Sequence, residues 1–526
     1  MIRRVAVVSV VVAMAAMMIV GVGVALAADA STATTARDDA ATTEAASEED
    51  QLVSLFHKSA ALARETLVRA LGPPSAAEEA EADILANNND SSDNEDGDNN
   101  DDDNNDKNLS YDGSDLIEWI NSNGGFIHPN AHIGLDPTGK YRGVFVKNTN
   151  SDMTNANNDS ERGIDEGIEE GDIIARIPWD LIIKPNDYAI NNYWSCEAIH
   201  ELYRQFQLGD ESKYAPYVNY LKNQPQGRIP SEWTDAGKQL LNTILDRPTT
   251  TTTTTTTNDE SEGGGLPPQQ NLRGYEETWL QECRGEDTPL ARAAFYQFTS
   301  RDEDTLMVPF YDMHNHSNDP KKLNTISYKP KKKGRPFVLR AIRDIAPGEQ
   351  IYISYNRCHR CWFDEEYTGC TSYSHYGTSE VFDVFGFVED FPQMWKFRMN
   401  VDDEEQEPGR PPQWDELNFC LEKAEDDDMH LVVSFGDNYV TKGEEPSEEN
   451  VKYLAEQLIR LDELEKSMKS DGVLMKTMPS YEWDMAWTYH QALMTSISAA
   501  MLASGYLPSE DNDSGADSIG GGRDEL

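Results

Sequence analysis

Apolar residues recur every three or four positions in three segments, which predicts three amphipathic helices. The first is DQLVSLFHKSAALARETLVRALG at 50–72, and the Gly-Pro-Pro sequence at its end stops a helix. The other two lie nearer the C-terminus, at 447–469 and 480–504. The pattern is mostly helical from about residue 392 onward, so we predict a helical C-terminal domain over 392–508.

Short runs rich in β-branched and aromatic residues predict small strands in the middle of the chain. They are YRGVFVKN at 141–148, GDIIARIPWDLIIKP at 171–185, and the runs at 306–311, 323–328, 336–342 and 350–355. Helical patterns interrupt them over about 188–300, where a threonine run at 249–257 indicates a low-complexity surface segment. The predicted fold class is therefore α+β, with small β-sheets over 111–391, a helical insertion within them, and the helical C-terminal domain.

Both ends of the chain resemble targeting signals. Arg3 and Arg4 precede an apolar run, and small residues follow it near residue 27, which is typical of a signal peptide over 1–27. The run is also long enough to be an uncleaved membrane anchor. The tail 509–526 ends in RDEL, which resembles the Lys-Asp-Glu-Leu signal for retrieval to the endoplasmic reticulum. We predict a protein of the endoplasmic reticulum lumen, which contacts a membrane only if its N-terminal segment stays uncleaved.

The net charge of −49 is unevenly distributed along the chain. Between residues 29 and 110, 21 acidic side chains stand against five basic ones. Such a composition cannot bury enough apolar surface to fold, so 28–110 is predicted to be disordered apart from the helix at 50–72. That helix either docks on the folded part or lies exposed. The acidic balance argues against general nucleic-acid binding, which requires cationic surface, and no pattern indicates an oligomeric state.

The stretch LMVPFYDMHNHSND at 306–319 places a cluster of polar side chains directly after an apolar run. Buried polar groups cost free energy unless they are paired. Either His314 and His316 are hydrogen-bonded core histidines with Asn315 in a turn, or these residues form a binding site.

The order of five motifs resembles the split SET-domain protein methyltransferases, in particular the subfamily typified by the Rubisco large-subunit lysine methyltransferase. The motifs are RGVFVKN, EEGDIIARIPWDLII, DMHNHSN, IRDIAPGEQIYISY and GTSEVFDVFGFVED. In the insertion, ESKYAPYVNYLKNQPQGRIPSEWTDAGKQLL is similar to a further stretch of that family. The resemblance covers roughly 110–390. It implies a pseudoknot in the fold, S-adenosylmethionine as cofactor and a protein as substrate.

The resemblance also implies which residues bind the cofactor. An Asn-His pair would contact its amino-acid and adenine parts, an arginine would approach its carboxylate with a planar pair of donors, and a glycine-containing loop would wrap around it at close range. Carried over to this sequence, the cofactor-binding residues are Arg142, Gly143, Val144, Arg301, Asp312, Asn315, His316 and Tyr355.

Tyr355 is also the expected catalytic residue, by the same resemblance. It ends the strand EQIYISY, where Ile351, Ile353 and Tyr355 share one face, whereas the competing Tyr376 follows a polar insertion. Methyl transfer needs a neutral amine held in line in a dry pocket, and a tyrosine hydroxyl can orient that amine. We expect lysine as the acceptor, with histidine as a variant. The rival hypothesis is a non-catalytic SET-fold module that binds a protein.

After Tyr355 the chain departs from the family with the insertion NRCHRCWFDEEYTGCTSYSHY. Its Cys358, Cys361 and Cys370 suit either a zinc site or a disulfide with a free thiol. Their spacing is irregular for zinc, and we assign no metal site. The family's Asn is also replaced, by Glu380, which weakens the expectation of a cofactor contact there.

Overall fold

The computed structural model describes most of the chain outside the two ends, the acidic tract and the longer loops. The described residues are 6–8, 38–71, 113–136, 142–148, 167–185, 196–225, 227–247, 266–268, 274–303, 305–330, 333–355, 377–400, 414–424, 427–435, 446–471 and 477–506. Nine α-helices lie within them: α1 (Asp38–Leu71), α2 (Ser114–Ser122), α3 (Cys196–Leu208), α4 (Ala215–Lys222), α5 (Asp235–Ile244), α6 (Pro289–Thr299), α7 (Thr378–Phe385), α8 (Glu448–Asp471) and α9 (Ser480–Ala503).

The same residues contain twelve strands and one π-helix, Tyr275–Glu282. The strands are β1 (Ala6–Val8), β2 (Phe126–Ile127), β3 (Ala131–Leu135), β4 (Arg142–Val146), β5 (Ile173–Ile177), β6 (Asn315–His316), β7 (Thr325–Tyr328), β8 (Phe337–Ala341), β9 (Gln350–Ile353), β10 (Gln393–Asn400), β11 (Trp414–Ala424) and β12 (Asp427–Phe435).

Two four-stranded sheets form the centre of the predicted β region. Their strand orders are β2-β5-β8-β7 and β3-β4-β9-β6. Buried side chains of both sheets join those of α2, α3, α4 and α6 in one apolar core. The helices of the insertion therefore cover these sheets, and the predicted α+β class is confirmed.

The short strand β6 is the one strand of these sheets that pairs in parallel. Asn315 lies opposite Tyr352 and His316 opposite Ile353 on β9. Farther along the chain, the Asn324 side chain bonds the backbone of β9 on both sides of Ile351, at Gln350 O (2.8 Å) and Tyr352 N (2.9 Å). The polar segment after residue 314 is thus held beside β9, as the pseudoknot of the predicted fold requires.

The apolar run Leu306–Tyr311 is buried, but it does not form the strand that its composition predicts. Thr305 and Phe310 have φ values of 68° and 70°, which an extended strand excludes. Within the described residues the run has just two isolated bridges, Met307 with Ile183 and Leu306 with Glu303. The run is apolar because it crosses the core as an irregular segment.

The C-terminal part contains the two predicted helices, α8 and α9, together with three strands that we did not predict. Strands β10, β11 and β12 form an antiparallel sheet over 393–435. In β10 the buried Trp395, Phe397 and Met399 alternate with more exposed residues, which is a strand pattern. The prediction of a helical pattern from residue 392 is therefore wrong for this stretch.

One helix of the insertion is held by the C-terminal part at both of its ends. The buried Glu482 of α9 accepts hydrogen bonds from the backbone N–H (2.9 Å) and hydroxyl (2.6 Å) of Thr234, which precedes α5. Arg460 of α8 donates to Thr243 O (3.1 Å) and Ile244 O (2.7 Å) at the other end. An anion at the N-terminus and a cation at the C-terminus both stabilise a helix. The insertion is therefore divided between two cores, because α5 packs with the C-terminal part.

The helix predicted at 50–72 docks on the folded part as the C-terminal portion of α1. Its Phe56, Ala63 and Leu67 are buried in the core that α8 and α9 form. Arg69 adds contacts of 3.4 Å to Glu465 of α8 and 3.3 Å to Glu65 of its own helix. The alternative of an exposed helix is therefore excluded.

Three disulfide-bonded cysteines are described. Cys196, at the start of α3, is bonded to Cys283, which follows the π-helix, and the two Cα atoms are 5.2 Å apart. Cys420 of β11 is also disulfide-bonded. Cys358, Cys361 and Cys370 lie outside the described residues, so the choice between zinc and a disulfide there stays a prediction.

The predicted signal peptide, acidic tract and C-terminal tail lie almost wholly outside the described residues. Within 1–27 the structure places only the backbone of β1, which pairs antiparallel with β12. In the described part of the chain, no helix combines the length and the apolar character needed to cross a bilayer.

Candidate active site

Tyr355 lies two residues beyond β9, which ends at Ile353 and not at Tyr355 as predicted, and it is held at both its backbone and its hydroxyl. The Tyr355 hydroxyl donates to His314 O over 2.8 Å, and the Tyr355 N–H donates to His316 Nδ1 over 2.9 Å. The rings of His316 and Phe385 pack on the phenol, with centroid distances of 5.1 and 4.4 Å. Burial raises the pKa of Tyr355. The hydroxyl is therefore neutral at physiological pH and suits positioning through hydrogen bonds.

His316 uses both of its ring nitrogens within the protein. Its Nδ1 accepts from Tyr355 N, so the ring proton lies on Nε2, which donates to Glu389 Oε2 over 2.8 Å. The His316 and Glu389 side chains are 2% and 1% exposed. A cofactor can therefore meet His316 only through its backbone or the face of its ring.

Asp312 is a fully buried carboxyl in the short 3₁₀ turn before β6. Its Oδ2 accepts from the hydroxyl of Tyr217 over 2.9 Å and lies 3.8 Å from Arg301 Nη1. Burial outweighs these two partners and raises the pKa of Asp312 to about 6. Its Oδ1 is buried without a hydrogen-bond partner among the described residues, so Asp312 retains acceptor capacity toward this site.

Arg301 follows α6 and joins that helix to the polar segment. Its Nε donates to Gln297 Oε1 over 2.8 Å, and its Nη1 donates to Asp312 O over 2.9 Å. The guanidinium carbon lies 5.9 Å from the centre of the Tyr220 ring. Because guanidinium has five N–H donors, these two bonds leave donors that can meet a carboxylate.

Gly143 on β4 faces two side-chain amides, and a Cβ atom there would fill the space between them. That atom would stand 2.4 Å from Gln350 Nε2 and 3.0 Å from Asn315 Nδ2. Asn315 Nδ2 donates to Arg142 O over 3.0 Å. Gln350 Nε2 is buried and has no hydrogen-bond partner among the described residues. A glycine cradle with an unpaired buried donor fits the close approach of a polar ligand.

The structure brings the predicted site residues together from four elements. Arg142, Gly143 and Val144 are on β4, Arg301 follows α6, Asp312 and the Asn-His pair form the polar segment, and Tyr355 follows β9. Of these, Val144 is fully buried opposite Ile351 and therefore contributes to the core.

Three residues of this site were not predicted: Tyr217, Gln350 and Glu389. Each lies inside a stretch that carries the family resemblance, which was the available signal. The partner of Tyr217 is Asp312, 95 positions away, and the partner of Glu389 is His316, 73 positions away. Gln350 lies beside Gly143, 207 positions away. Contacts over such separations have no trace in local sequence patterns.

Two further observations complete the site. The Glu380 carboxylate accepts from the N–H of Gly377 over 2.8 Å, so the residue that replaces the family's Asn caps the start of α7. Among the residues that the structure describes, no group of His, Cys, Asp and Glu is placed to hold a metal ion.

Comparison with known proteins identifies the domain that carries this site. Residues 165–356 match the family model described as SET domain. No curated protein matches the chain. A solved structure, the crystal structure of the SET domain of LSMT bound to lysine and AdoHcy, shares 13% identity over 75% of this chain and 90% of its own, with a TM-score of 0.40. The family match confirms the SET-domain part of the resemblance: residues 165–356 of this chain form a SET domain.

Proposed function

We propose that this protein transfers a methyl group from S-adenosylmethionine to a side chain of a protein substrate, with lysine as the expected acceptor. One observation carries the proposal above the others. The neutral hydroxyl of the half-buried Tyr355 is fixed through His314 and His316, and Tyr355 follows by two residues the strand β9, which begins with the unpaired amide of Gln350 beside Gly143. An oriented hydroxyl next to a polar cradle suits the transfer of a small group between two bound molecules.

The residues present fit S-adenosylmethionine, which supplies an electrophilic methyl group when it is bound. The Gly143 cradle lets a polar ligand approach the backbone of β4 and meet the amides of Gln350 and Asn315. Arg301 has guanidinium donors left for a carboxylate. His316 contributes its backbone and ring face, because its ring nitrogens are already bonded.

The remaining chemistry lies in what these side chains do to an amine. A lysine amine has an unperturbed pKa of about 10.4, and a buried, low-dielectric site lowers it and favours the neutral nucleophile. We expect the hydroxyl of Tyr355, together with the carbonyl oxygen of His314 that it contacts over 2.8 Å, to orient that amine. No step needs a covalent intermediate on the enzyme.

Purified full-length protein and radiolabelled S-adenosylmethionine test this proposal. Poly-L-lysine, poly-L-histidine and a lumenal protein extract of the endoplasmic reticulum serve as acceptors, and hydrolysed products are separated into methyllysine and methylhistidine. We expect label in methyllysine. Label in methylhistidine alone would replace lysine by histidine as the acceptor. Binding of S-adenosylmethionine without transfer to any acceptor would instead favour a non-catalytic binding module.

We also propose that the protein works in the lumen of the endoplasmic reticulum. The signal-peptide pattern and the RDEL terminus support this location, and the Cys196–Cys283 disulfide fits an oxidising compartment. A tagged protein with a free C-terminus is expected to stay in the reticulum, and deletion of 523–526 is expected to release it outward. Finding the intact protein in the cytosol, nucleus or plastid would contradict the proposal.

A further inference from the structure

Glu389 is a buried carboxylate that holds the polar segment together, close to the ring of Tyr355. Its Oε2 accepts from His316 Nε2 (2.8 Å) and from Asn318 Nδ2 (3.0 Å), and its Oε1 accepts from Thr378 Oγ1 (2.6 Å). The residue is 3% exposed. A carboxylate so deeply buried is costly unless its oxygens are well bonded, and here three donors from two chain segments converge on it.

Two of these donors lead directly to the end of β9. Through His316, the carboxylate accepts the ring proton on Nε2, and it favours this tautomer together with the Tyr355 N–H, which donates to Nδ1 over 2.9 Å. Through Asn318, it orients an amide whose oxygen accepts from Ser354 Oγ over 2.8 Å. Glu389 therefore reaches the two consecutive residues Ser354 and Tyr355 by separate routes.

The third donor connects this network to the end of the domain. Thr378 begins α7, and its hydroxyl oxygen also accepts from Met394 N, on β10, over 3.0 Å. The same α7 supplies Phe385, which packs on the ring of Tyr355. The segment 377–389 thus contacts the ring of Tyr355 through Phe385, and it is linked to the backbone of Tyr355 through Glu389 and His316.

We infer that Glu389 is a positioning residue of the proposed methyl transfer, which acts on Tyr355 through the tautomer of His316 and through Asn318. This inference rests on the proposed function for its catalytic consequence. Its structural content, that the carboxylate sets the protonation site of His316 and the placement of Tyr355, stands independently of any activity.

The test compares Glu389→Ala and Glu389→Gln in the full-length protein. Alanine removes the acceptor, whereas the glutamine carbonyl can still accept from His316. We expect kcat on poly-L-lysine to fall at least tenfold in Glu389→Ala. We expect the KM for S-adenosylmethionine to change less than threefold, and Glu389→Gln to recover kcat to within about threefold of the natural protein.

Glu482→Ala is the matched control, because Glu482 is equally buried and accepts two hydrogen bonds at the start of α5. It should lower the melting temperature but leave kcat per folded molecule unchanged. An equal loss of kcat in both alanine variants would show that Glu389 acts through stability alone, and would overturn the inference.

A second measurement keeps the inference testable if the protein transfers no methyl group. The ¹⁵N chemical shifts of the His316 ring report which nitrogen carries the proton. We expect a proton on Nε2 in the natural protein and in Glu389→Gln, and a mixture of tautomers with shifted Tyr355 resonances in Glu389→Ala. An unchanged His316 ring and unchanged Tyr355 resonances in Glu389→Ala would reject the inference, whereas inactivity of the natural protein would reject the proposed function only.

Discussion

The hydroxyl of Tyr355 donates to the carbonyl oxygen of His314 over 2.8 Å, which ties the end of β9 to the residue that precedes β6. The two strands are parallel neighbours, so this bond closes one edge of the site. It also brings together a neutral hydroxyl and a backbone oxygen, the two groups that the proposed acceptor amine would contact.

Tyr355→Phe removes the hydroxyl and keeps the ring that packs on His316 and Phe385. We expect methyl transfer to fall by about 10²-fold or more, the scale of losing one positioned polar group, while the shift of melting temperature by S-adenosylmethionine persists. Tyr352→Phe is the control. Tyr352 is on the strand that leads to Tyr355, but its side chain points to the opposite face of the sheet from that of Ile353. Tyr376 lies outside the described residues. If Tyr376→Phe abolishes transfer and Tyr355→Phe does not, the assignment is wrong.

Gly143→Ala fills the cradle between Gln350 and Asn315. The new methyl group would displace the flexible Gln350 amide, so we expect little loss of stability but at least a tenfold weaker affinity for S-adenosylmethionine by calorimetry. Gly134 is the direct cross-strand partner of Gly143, and a Cβ atom there would come no closer than 3.1 Å to another side chain. Gly134→Ala should therefore bind normally. Equal affinities in the two variants would place the cofactor elsewhere.

Asp312→Asn should stabilise the protein at neutral pH. The pKa of Asp312 is raised by burial from 3.8 to about 6, so the folded state binds a proton that the unfolded state has lost, and stability falls as pH rises between about 4 and 6. The variant has no carboxyl group to lose this proton. Its free energy of unfolding, relative to that of the natural protein, should therefore increase by roughly 3 kcal/mol over that pH range and then stay constant. Urea unfolding of both proteins at several pH values measures it. A difference in unfolding free energy that does not change with pH would mean that the pKa of Asp312 is not raised.

His314 should produce the opposite slope in the same range. Burial lowers the pKa of His314 from 6.5 to about 4, so the unfolded state binds more protons and stability rises with pH between about 4 and 6.5. The contributions of Asp312 and His314 to the pH dependence of stability therefore oppose each other in the natural protein. We therefore expect the free energy of unfolding to rise more steeply with pH in Asp312→Asn than in the natural protein. A level profile in the variant would contradict the lowered pKa of His314.

Leu67→Ala tests whether α1 is part of the C-terminal core. Leu67 is 1% exposed, and truncating a buried leucine typically costs about 2–5 kcal/mol of unfolding free energy. The adjacent Val68 is 46% exposed, so Val68→Ala should cost well under 1 kcal/mol. Thermal unfolding distinguishes the two variants. Similar melting temperatures for both would mean that α1 does not pack as described.

The sequence by itself determined the periodic and the local features of this protein. Helical spacing predicted α8, α9 and the docked portion of α1, and the order of five motifs predicted the SET domain and the Asn315-His316 and Tyr355 positions. The apolar composition of 306–311 predicted a strand, and this prediction was wrong. Positive φ angles at Thr305 and Phe310 are incompatible with an extended strand, so the buried run joins no sheet.

Only the tertiary structure decided which distant residues meet. In the folded protein Glu389 contacts His316, Asp312 contacts Tyr217, and Gln350 lies beside Gly143. Helix α5 packs in the C-terminal core, where Glu482 and Arg460 bond its two ends. The physical reason is that local periodicity reports which face of an element is buried. It carries no information on the partner, because hydrogen bonds between buried side chains depend on how the elements pack against one another.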